Sequence, residues 1–238
     1  MENASYVTLT RQSGLMREMQ VVANNIANLS TTGFRREGLV FSEFVKALER
    51  GDPSLSMAVA DVRATFLTQG GLTRTDATFD LAIEGEGFFL VETPEGERLT
   101  RAGNFSPNGE GELVTPEGFR VLDAGRAPIF IPPDAGPVSI AADGTISVGD
   151  QPLARIGLYR PAEAADLLRQ QGTLFTAANG LEPVEESAIL QGFLEESNVD
   201  PVTEIARMIE VQRAYELGQS FLDKEDERIR NVLRTLGK

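Results

Sequence analysis

The sequence predicts an α+β fold: long N- and C-terminal helices pairing as a coiled coil, an extended arm, and an inserted mainly-β domain. Three observations carry this. Leu15, Met19, Val22, Ile26 and Leu29 recur at alternating spacings of four and three near the start. Met208, Val211, Tyr215, Gly218, Leu222, Glu225, Ile229, Val232 and Leu236 do the same near the end. Such spacing is the seam by which one helix lies along another. Between these seams stand short apolar runs separated by glycine-bearing turns, the signature of many short strands. The resulting division is a first helix over 1–33, an arm over 34–71, a mainly-β domain over 72–198 and a second helix over 199–238.

The first helix is expected from about Tyr6 to Ser30, roughly 37 Å at about 1.5 Å per residue. Asn3 or Ser5 can cap its start, and Gly33 is a natural stop. Asn24, Asn25 and Asn28 flank its seam. Asparagine competes for nearby backbone groups and weakens a helix. The three are read as polar contacts to neighbouring chains, with a solvated polar face left open beside that reading. After Phe34 a short amphipathic piece (Phe41, Phe44, Val45, Leu48) meets a Gly51-Asp52-Pro53 break, which suits a linker or a long hairpin-like arm.

From Gly70 the pattern turns to β. Phe79, Leu81 and Ile83 alternate with polar or small residues, as on a half-buried strand. Phe88-Phe89-Leu90-Val91 is continuous, as on a strand covered on both faces. Further strands are predicted at Leu113-Val114, Ile129–Ile131, Val138–Ile140, Ile146–Val148 and Ile156–Tyr159, with a short helix from about Pro161 to Gln170. Glu95-Gly96, Asn108-Gly109, Glu117-Gly118, Asp143-Gly144 and Gly149-Asp150 supply tight turns. The whole suggests a sandwich or irregular barrel.

The second helix begins at Asp200, a good N-cap, with Pro201 at the first helical position. It can run to Leu236 with Gly237 as its stop, roughly 54 Å at about 1.5 Å per residue. Gly218 and Glu225 are faults in its seam, and a mid-helix glycine costs about 1 kcal/mol relative to alanine. Further apolar stripes (Val202, Ile205, Ile209; Ala214, Leu217, Phe221) leave it apolar on more than one side. Such a helix needs more than one neighbour. Two faulted seams are marginal alone and should become fixed when copies pack together. An ordinary monomer with its terminal helices packed on the sheet remains the other reading.

Composition narrows the function classes. The chain has 238 residues and neither cysteine nor histidine. It therefore lacks the commonest general base, the commonest metal ligand and the thiolate nucleophile. The net charge of −14 belongs entirely to residues 51–198, while the ends are nearly neutral. That opposes a nucleic-acid partner. No apolar run is long enough to span a membrane, and no cleavable secretory signal is read at the start.

No metal or cofactor site and no catalytic residue is assigned. Glu84/Glu86 and Glu195/Glu196 could imitate a glycosidase carboxylate pair but are read as solvated charge. Asn108-Gly109-Glu110-Gly111-Glu112 lacks EF-hand spacing, and Gly85-Glu86-Gly87 lacks the rest of a dinucleotide fingerprint. The sequons at Asn3 and Asn28 fall in the packed helix. Phe88, Phe89 and Phe105 are core aromatics. From another class, an acidic β-domain hydrolase or sugar-binding module would need converging carboxylates and aromatics, which the sequence does not offer.

Four blocks in order carry a specific resemblance. Ala23-Asn24-Asn25-Ile26-Ala27-Asn28 with Thr32-Gly33-Phe34-Arg35-Arg36 comes first. Asp80-Leu81-Ala82-Ile83-Glu84-Gly85-Glu86-Gly87-Phe88-Phe89 is second. Leu99-Thr100-Arg101-Ala102-Gly103-Asn104-Phe105 with Gly111-Glu112-Leu113-Val114-Thr115 is third, Leu99 standing where an aromatic is usual. Gln191-Gly192-Phe193-Leu194-Glu195-Glu196-Ser197-Asn198-Val199 with Gln212-Arg213-Ala214-Tyr215-Glu216 closes the series. Together they resemble the flagellar axial proteins of rod, hook and hook-associated type. The single compact middle points to a rod member. The Ala127–Pro132 run and residues 154–168 are most like proximal rod members, with distal rod or hook-type members as alternatives.

The resemblance implies a structural subunit, not an enzyme. It implies passage unfolded through the flagellar export apparatus and helical assembly in the periplasm with copies of itself and other rod proteins. Torque would pass through the subunit contacts, with no small-molecule substrate, nucleic acid or membrane insertion. Absent cysteine suits an oxidising compartment. The expected assembly residues are Leu15, Met19, Val22, Asn24, Asn25, Ile26, Asn28 and Leu29 on the first helix. On the second they are Met208, Val211, Tyr215, Leu222, Ile229, Val232 and Leu236, joined through the motif by Gln212 and Arg213.

Overall fold

Short apolar runs punctuated by turns can bury themselves only by pairing many times, and the chain does so between its two long helices. The computed structural model describes residues 2–46, 55–134 and 136–236, with side chains outside 2–6, 41–46, 55–62 and 164. Helix α1 already begins at Glu2, upstream of the expected cap, so Asn3 and Ser5 stand inside it; the side chains of Phe41, Phe44 and Val45, Leu48, the Gly51-Asp52-Pro53 break and the Gly237 stop lie outside the described residues.

Helix α1 spans Glu2–Ala27. Strands β1 (Glu37–Lys46) and β2 (Leu55–Thr65) follow, then β3 (Leu72–Arg74), β4 (Leu81–Glu84), β5 (Phe88–Thr93) and β6 (Gly96–Thr100). Next are β7 (Ser106–Pro107), β8 (Leu113–Val114), β9 (Arg120–Val121), β10 (Val138–Ile140), β11 (Thr145–Val148) and β12 (Gln151–Arg155). After them come β13 (Leu158–Pro161), β14 (Leu167–Arg169), β15 (Leu174–Ala177), β16 (Leu181–Pro183), β17 (Ala188–Gln191) and β18 (Phe193–Glu195). Helix α2 spans Pro201–Leu236.

The chain divides into two compact units. One comprises the helices and residues 37–66; the other comprises residues 28–36 and 67–199. In the first, α1 contacts α2 and both strands of the antiparallel β1–β2 hairpin. Asp200 caps α2 as its sequence dictates, its Oδ1 accepting from the Thr203 N–H at 2.7 Å. Helix α1 ends three residues short of the expected Ser30. Thr31 N–H then donates to Asn28 O at 3.2 Å, closing the turn before Gly33.

In the second unit, β14-β15-β6-β5-β9-β8-β7 form the backbone of a nine-stranded sheet, with β13 paired to both β5 and β16. β10-β11-β12 make a three-stranded sheet, while β17 pairs β4 and β18 pairs β3. The apolar run on β5 is covered on both faces. Phe89 and Val91 join one core with Leu81, Ile83, Phe105 and Ile146, whereas Phe88 and Leu90 join another with Leu99, Tyr159 and Phe175. Alternation along a strand explains the division. Leu99 is fully buried in the second core, so the departure from an aromatic leaves no opening.

Two expectations fail. Residues 161–170 hold only a 3₁₀ turn at Ala164–Asp166, followed by β14. There Leu167, Leu168 and Arg169 pair with Ala177, Thr176 and Phe175, so sheet pairing overrode the local helical preference of Ala, Glu and Leu. Ile129–Ile131 is no strand. It is held by isolated bridges, with Phe130 opposite Glu112 and Pro128 opposite Leu122. Proline on both flanks removes ladder donors there.

Candidate functional site

The helix pair is antiparallel, as its cross-links require. Gln12 Nε2 donates to Tyr215 O at 2.9 Å. Arg207 grips Glu18 Oε1 through Nε at 2.7 Å and Nη2 at 2.5 Å. Asn25 Nδ2 donates to Glu204 Oε2 at 3.2 Å. The buried stripe of α1 therefore runs through Leu15, Glu18, Val21, Val22 and Asn25. Of the expected seam, Leu15 and Val22 are buried, while Met19, Ile26 and Leu29 are half-buried. The stripe has turned toward Glu18 and Asn25 because both carry hydrogen bonds that require burial beside their partners.

Asn25 corrects the reading of the three asparagines as contacts to neighbouring chains. It is 1% exposed. Its Nδ2 donates to Glu37 O at 2.8 Å and its Oδ1 accepts from Glu37 N at 3.0 Å. A side-chain amide is thus spent as a strand-like partner for the first residue of β1. Asn24 is exposed and Asn28 half-buried.

On α2, Val211 is buried, and Met208, Tyr215 and Leu222 are half-buried, on the face that meets α1. Gln212 and Arg213 are exposed, Gln212 donating to Glu216 Oε1 at 3.0 Å. The supposed faults have causes. A Cβ on Gly218 would stand 2.6 Å from Gln12 Nε2, so glycine makes room for the amide that reaches Tyr215 O. Glu225 holds Arg228 one turn on at 2.6 Å. Both ion-pair partners at this turn shift accordingly: the hydrogen bond from Arg228 lowers the Glu225 carboxyl, and that same bond raises the Arg228 guanidinium.

Beyond Glu225 no helix among the described residues covers the seam. Helix α1 has 26 residues and α2 has 36. With equal rise per residue and the cross-links above, α1 begins level with about Glu225. Ile229, Val232 and Leu236 continue the seam and are exposed, Leu236 by 79%, and Leu233 is exposed beside them. Val202, Ile205 and Ile209 are exposed on the opposite side of α2.

The β-rich unit holds a second constellation, built where the motif blocks meet. Gly33 adopts φ +66 and donates its N–H to Glu195 O at 2.7 Å. A side chain there would overlap the backbone of Arg101 and Ala102. Asn198 Oδ1 accepts from Arg36 N, while its Nδ2 donates to Thr68 O at 2.8 Å. Arg169 stacks over Phe34 at 4.4 Å and over Phe175 at 4.6 Å, and donates through Nη2 to Arg35 O.

At its centre lies Glu195, 0% exposed, between Arg35 (1%) and Arg101 (4%). Its Oε1 meets Arg35 Nη1 at 2.6 Å and accepts from Gly70 N at 2.9 Å. Its Oε2 meets Arg101 Nη1 at 3.3 Å. The reading of Glu195 as solvated charge is therefore wrong. Two arginines lying 160 and 94 residues away in sequence compensate its burial, and no local pattern announces such a partner. Burial lowers the Arg101 guanidinium to about 10, Glu195 opposing the fall and Arg35 adding to it. Glu86, by contrast, is exposed, 3.8 Å from Arg160. The Asn108–Glu112 loop is a turn organised by Asn108 Oδ1, which accepts from Glu110 N and Glu112 N, each at 2.9 Å.

The residues that sequence reasoning missed are thus the buried charges: Glu18, Glu37 and Glu204 in the helical unit, and Arg35, Arg101 and Glu195 in the β-rich unit. The signal available was their place inside the four motif blocks, where Arg35, Arg101 and Glu195 all stand.

Comparison with known proteins places these features. Residues 6–35 match the family described as "Flagella basal body rod protein". Residues 82–148 match "Flagellar hook protein FlgE/F/G D1 domain", and residues 190–235 match "Flagellar basal body rod FlgEFG protein C-terminal". The chain is 43% identical to the flagellar basal-body rod protein FlgF of Caulobacter vibrioides, with 100% of this chain and 99% of that protein covered. It is 38% identical to the FlgF of Mesorhizobium japonicum over 100% and 99%. It is 29% identical to the flagellar basal-body rod protein FlgG of Bacillus subtilis over 96% and 97%. The chain, matched from end to end in this way, belongs to the flagellar basal-body rod protein family and is FlgF-like.

Proposed function

We propose that this chain is a structural subunit of the proximal part of the bacterial flagellar basal-body rod, where it assembles helically and carries torque from motor to hook. The family is a structural one, and its members are rod proteins by name. The observation that carries the assembly reading is the uncovered seam of α2. Ile229, Val232 and Leu236 extend the stripe that meets α1, with Leu233 beside them, and all four are exposed among the described residues. Contiguous exposed apolar residues of this kind mark contact sites.

In this reading α1 and α2 pair as a coiled coil within a domain made of residues 1–33 and 199–238. The overhanging turns of α2 and the Val202–Ile209 stripe meet neighbouring copies and other rod proteins, forming the wall of an inner tube. Residues 34–71 form an arm that braces neighbours, and residues 72–198 form the outer layer. Of the expected assembly residues, the exposed Ile229, Val232 and Leu236 meet neighbours, while Leu15, Val22, Asn25 and Val211 serve within their own chain. The chain reaches the periplasm unfolded through the flagellar export apparatus.

The test is the pair Ile229→Asp and Leu236→Asp. Surface changes of this type leave the isolated chain within about 0.5 kcal/mol of the parent. Cells carrying the pair should yield basal bodies with truncated rods, seen by electron microscopy, and should not swim. Complete rods and normal swimming would refute the assembly reading.

A further inference from the structure

Asparagine followed by glycine occurs twice in the chain, at Asn108-Gly109 and at Asn179-Gly180, both in the β-rich unit. Glycine carries no Cβ, so its backbone nitrogen can close on the side-chain amide of the residue before it. The two copies differ in how that amide is held. At Asn108 it is tied down: Oδ1 accepts from Glu110 N and Glu112 N, each at 2.9 Å, and Nδ2 donates to Glu112 Oε2 at 3.3 Å. Asn179 is exposed in the turn between β15 and β16. Among the described residues, neither its amide nor the Gly180 N–H has a hydrogen-bond partner. Space does not separate the sites, since a Cβ on either glycine would meet nothing within 4 Å.

We propose that Asn179 is a site of self-modification, which converts it to aspartate and isoaspartate, while the turn at Asn108 protects its own copy of the dipeptide. Hydroxide removes the Gly180 amide proton, and the nitrogen attacks Asn179 Cγ. The N–Cγ bond forms, the Cγ–Nδ2 bond breaks, and Nδ2 takes a proton from water and leaves as ammonia. Water then opens the five-membered imide. Cleavage of the new bond gives aspartate. Cleavage of the original peptide bond gives isoaspartate, whose main chain runs through Cβ and Cγ. Each product exchanges an NH for an O and adds a carboxylate to the acidic middle of the chain. The isoaspartyl form also inserts a methylene between β15 and β16, next to the Gly180 O that accepts from Ala162 N at 3.2 Å.

The purified full chain tests this, incubated in mildly alkaline buffer at physiological temperature, with and without urea, and mapped by peptide mass spectrometry over time. Asn108 must break three hydrogen bonds before it can react. A barrier higher by about 1.4 kcal/mol already slows a step about tenfold. In the folded chain the Asn179 peptide should therefore gain the NH-to-O mass at least about tenfold faster than the Asn108 peptide. An isoaspartyl methyltransferase should label position 179, and Asn179→Gln should abolish that label. In urea the two rates should converge, because the bonds that protect Asn108 belong to the fold. Asn104, followed by Phe105, is the internal standard for an asparagine without glycine after it and should lag both in urea.

Equal rates at Asn179 and Asn108 in the folded chain, or Asn179 as slow as Asn104, overturn the proposal. A preference for Asn179 that survives unchanged in urea overturns it as well, since the fold would then not be its cause.

Discussion

The helical and β-rich units bury different kinds of residue. In the β-rich unit the interior is dominated by Phe34, Phe89, Phe175, Leu81, Ile83, Leu90 and Ile146, with one charged cluster around Glu195. In the helical unit the buried apolar side chains, among those described, are Leu15, Val21, Val22 and Val211. They share the interior with Gln12, Glu18, Asn25, Glu37 and Glu204, while Leu217, Phe221, Ile229 and Leu236 face outward. The first pattern belongs to a unit that can close on itself. The second spends polar groups to fix how its helices and hairpin pair, and leaves apolar surface unspent. Contiguous apolar surface left exposed in this way is the surface on which the proposed assembly rests.

The comparison can be broken at its strongest point first. Glu195→Gln removes the carboxylate that Arg35 and Arg101 share. The loss expected for breaking such a buried pair is about 3–5 kcal/mol, so thermal unfolding should show the β-rich unit melting far earlier, with the helical signal secondary. An unchanged midpoint would mean that the cluster is not what closes this unit. Next in size is Asn25→Ala, which strips the bonds to both backbone atoms of Glu37 and to Glu204. A cost of about 1–3 kcal/mol for unsatisfied buried groups should fall on the helical transition alone, read by circular dichroism. Equal loss in both units would erase the distinction.

The smallest effect concerns acid. The carboxyl of Asp200 lies below its ordinary value of 3.8 because Thr203 donates to it from side chain and backbone. Folding therefore favours the ionised form. Its contribution to α2 is whole above the unfolded value and is lost as pH falls through the lower folded value. Helix content near Asp200 should decline only at the acid end of that range, and Asp200→Asn should flatten the decline. Hydrogen exchange in the first turn of α2 measures it.

Local chemistry made much of the fold readable. Asp200-Pro201 announced the start of α2 because an N-cap and an N1 proline act within one turn. Phe88–Val91 announced a doubly covered strand because continuous apolar residues have no solvent face to offer. The stretch Ala162–Gln170 misled because its composition favours helix while Thr176 and Phe175, brought alongside by the sheet, captured its backbone. Glu195 misled for a like reason, since an acidic residue beside another acidic residue looks solvated until its distant partners are known.

The sequence alone settles what acts within a few residues: the two long helices, the start of α2 at Asp200-Pro201, the doubly covered run of β5, and the ordered motif blocks that identify the family. Where the charges go is settled only once the chain is folded. Whether Asn25 faces a neighbour or its own Glu37, and whether Glu195 meets water or Arg35 and Arg101, depends on segments far apart in the chain arriving at one place. The energy of a buried charge is set by such partners and by the solvent they exclude.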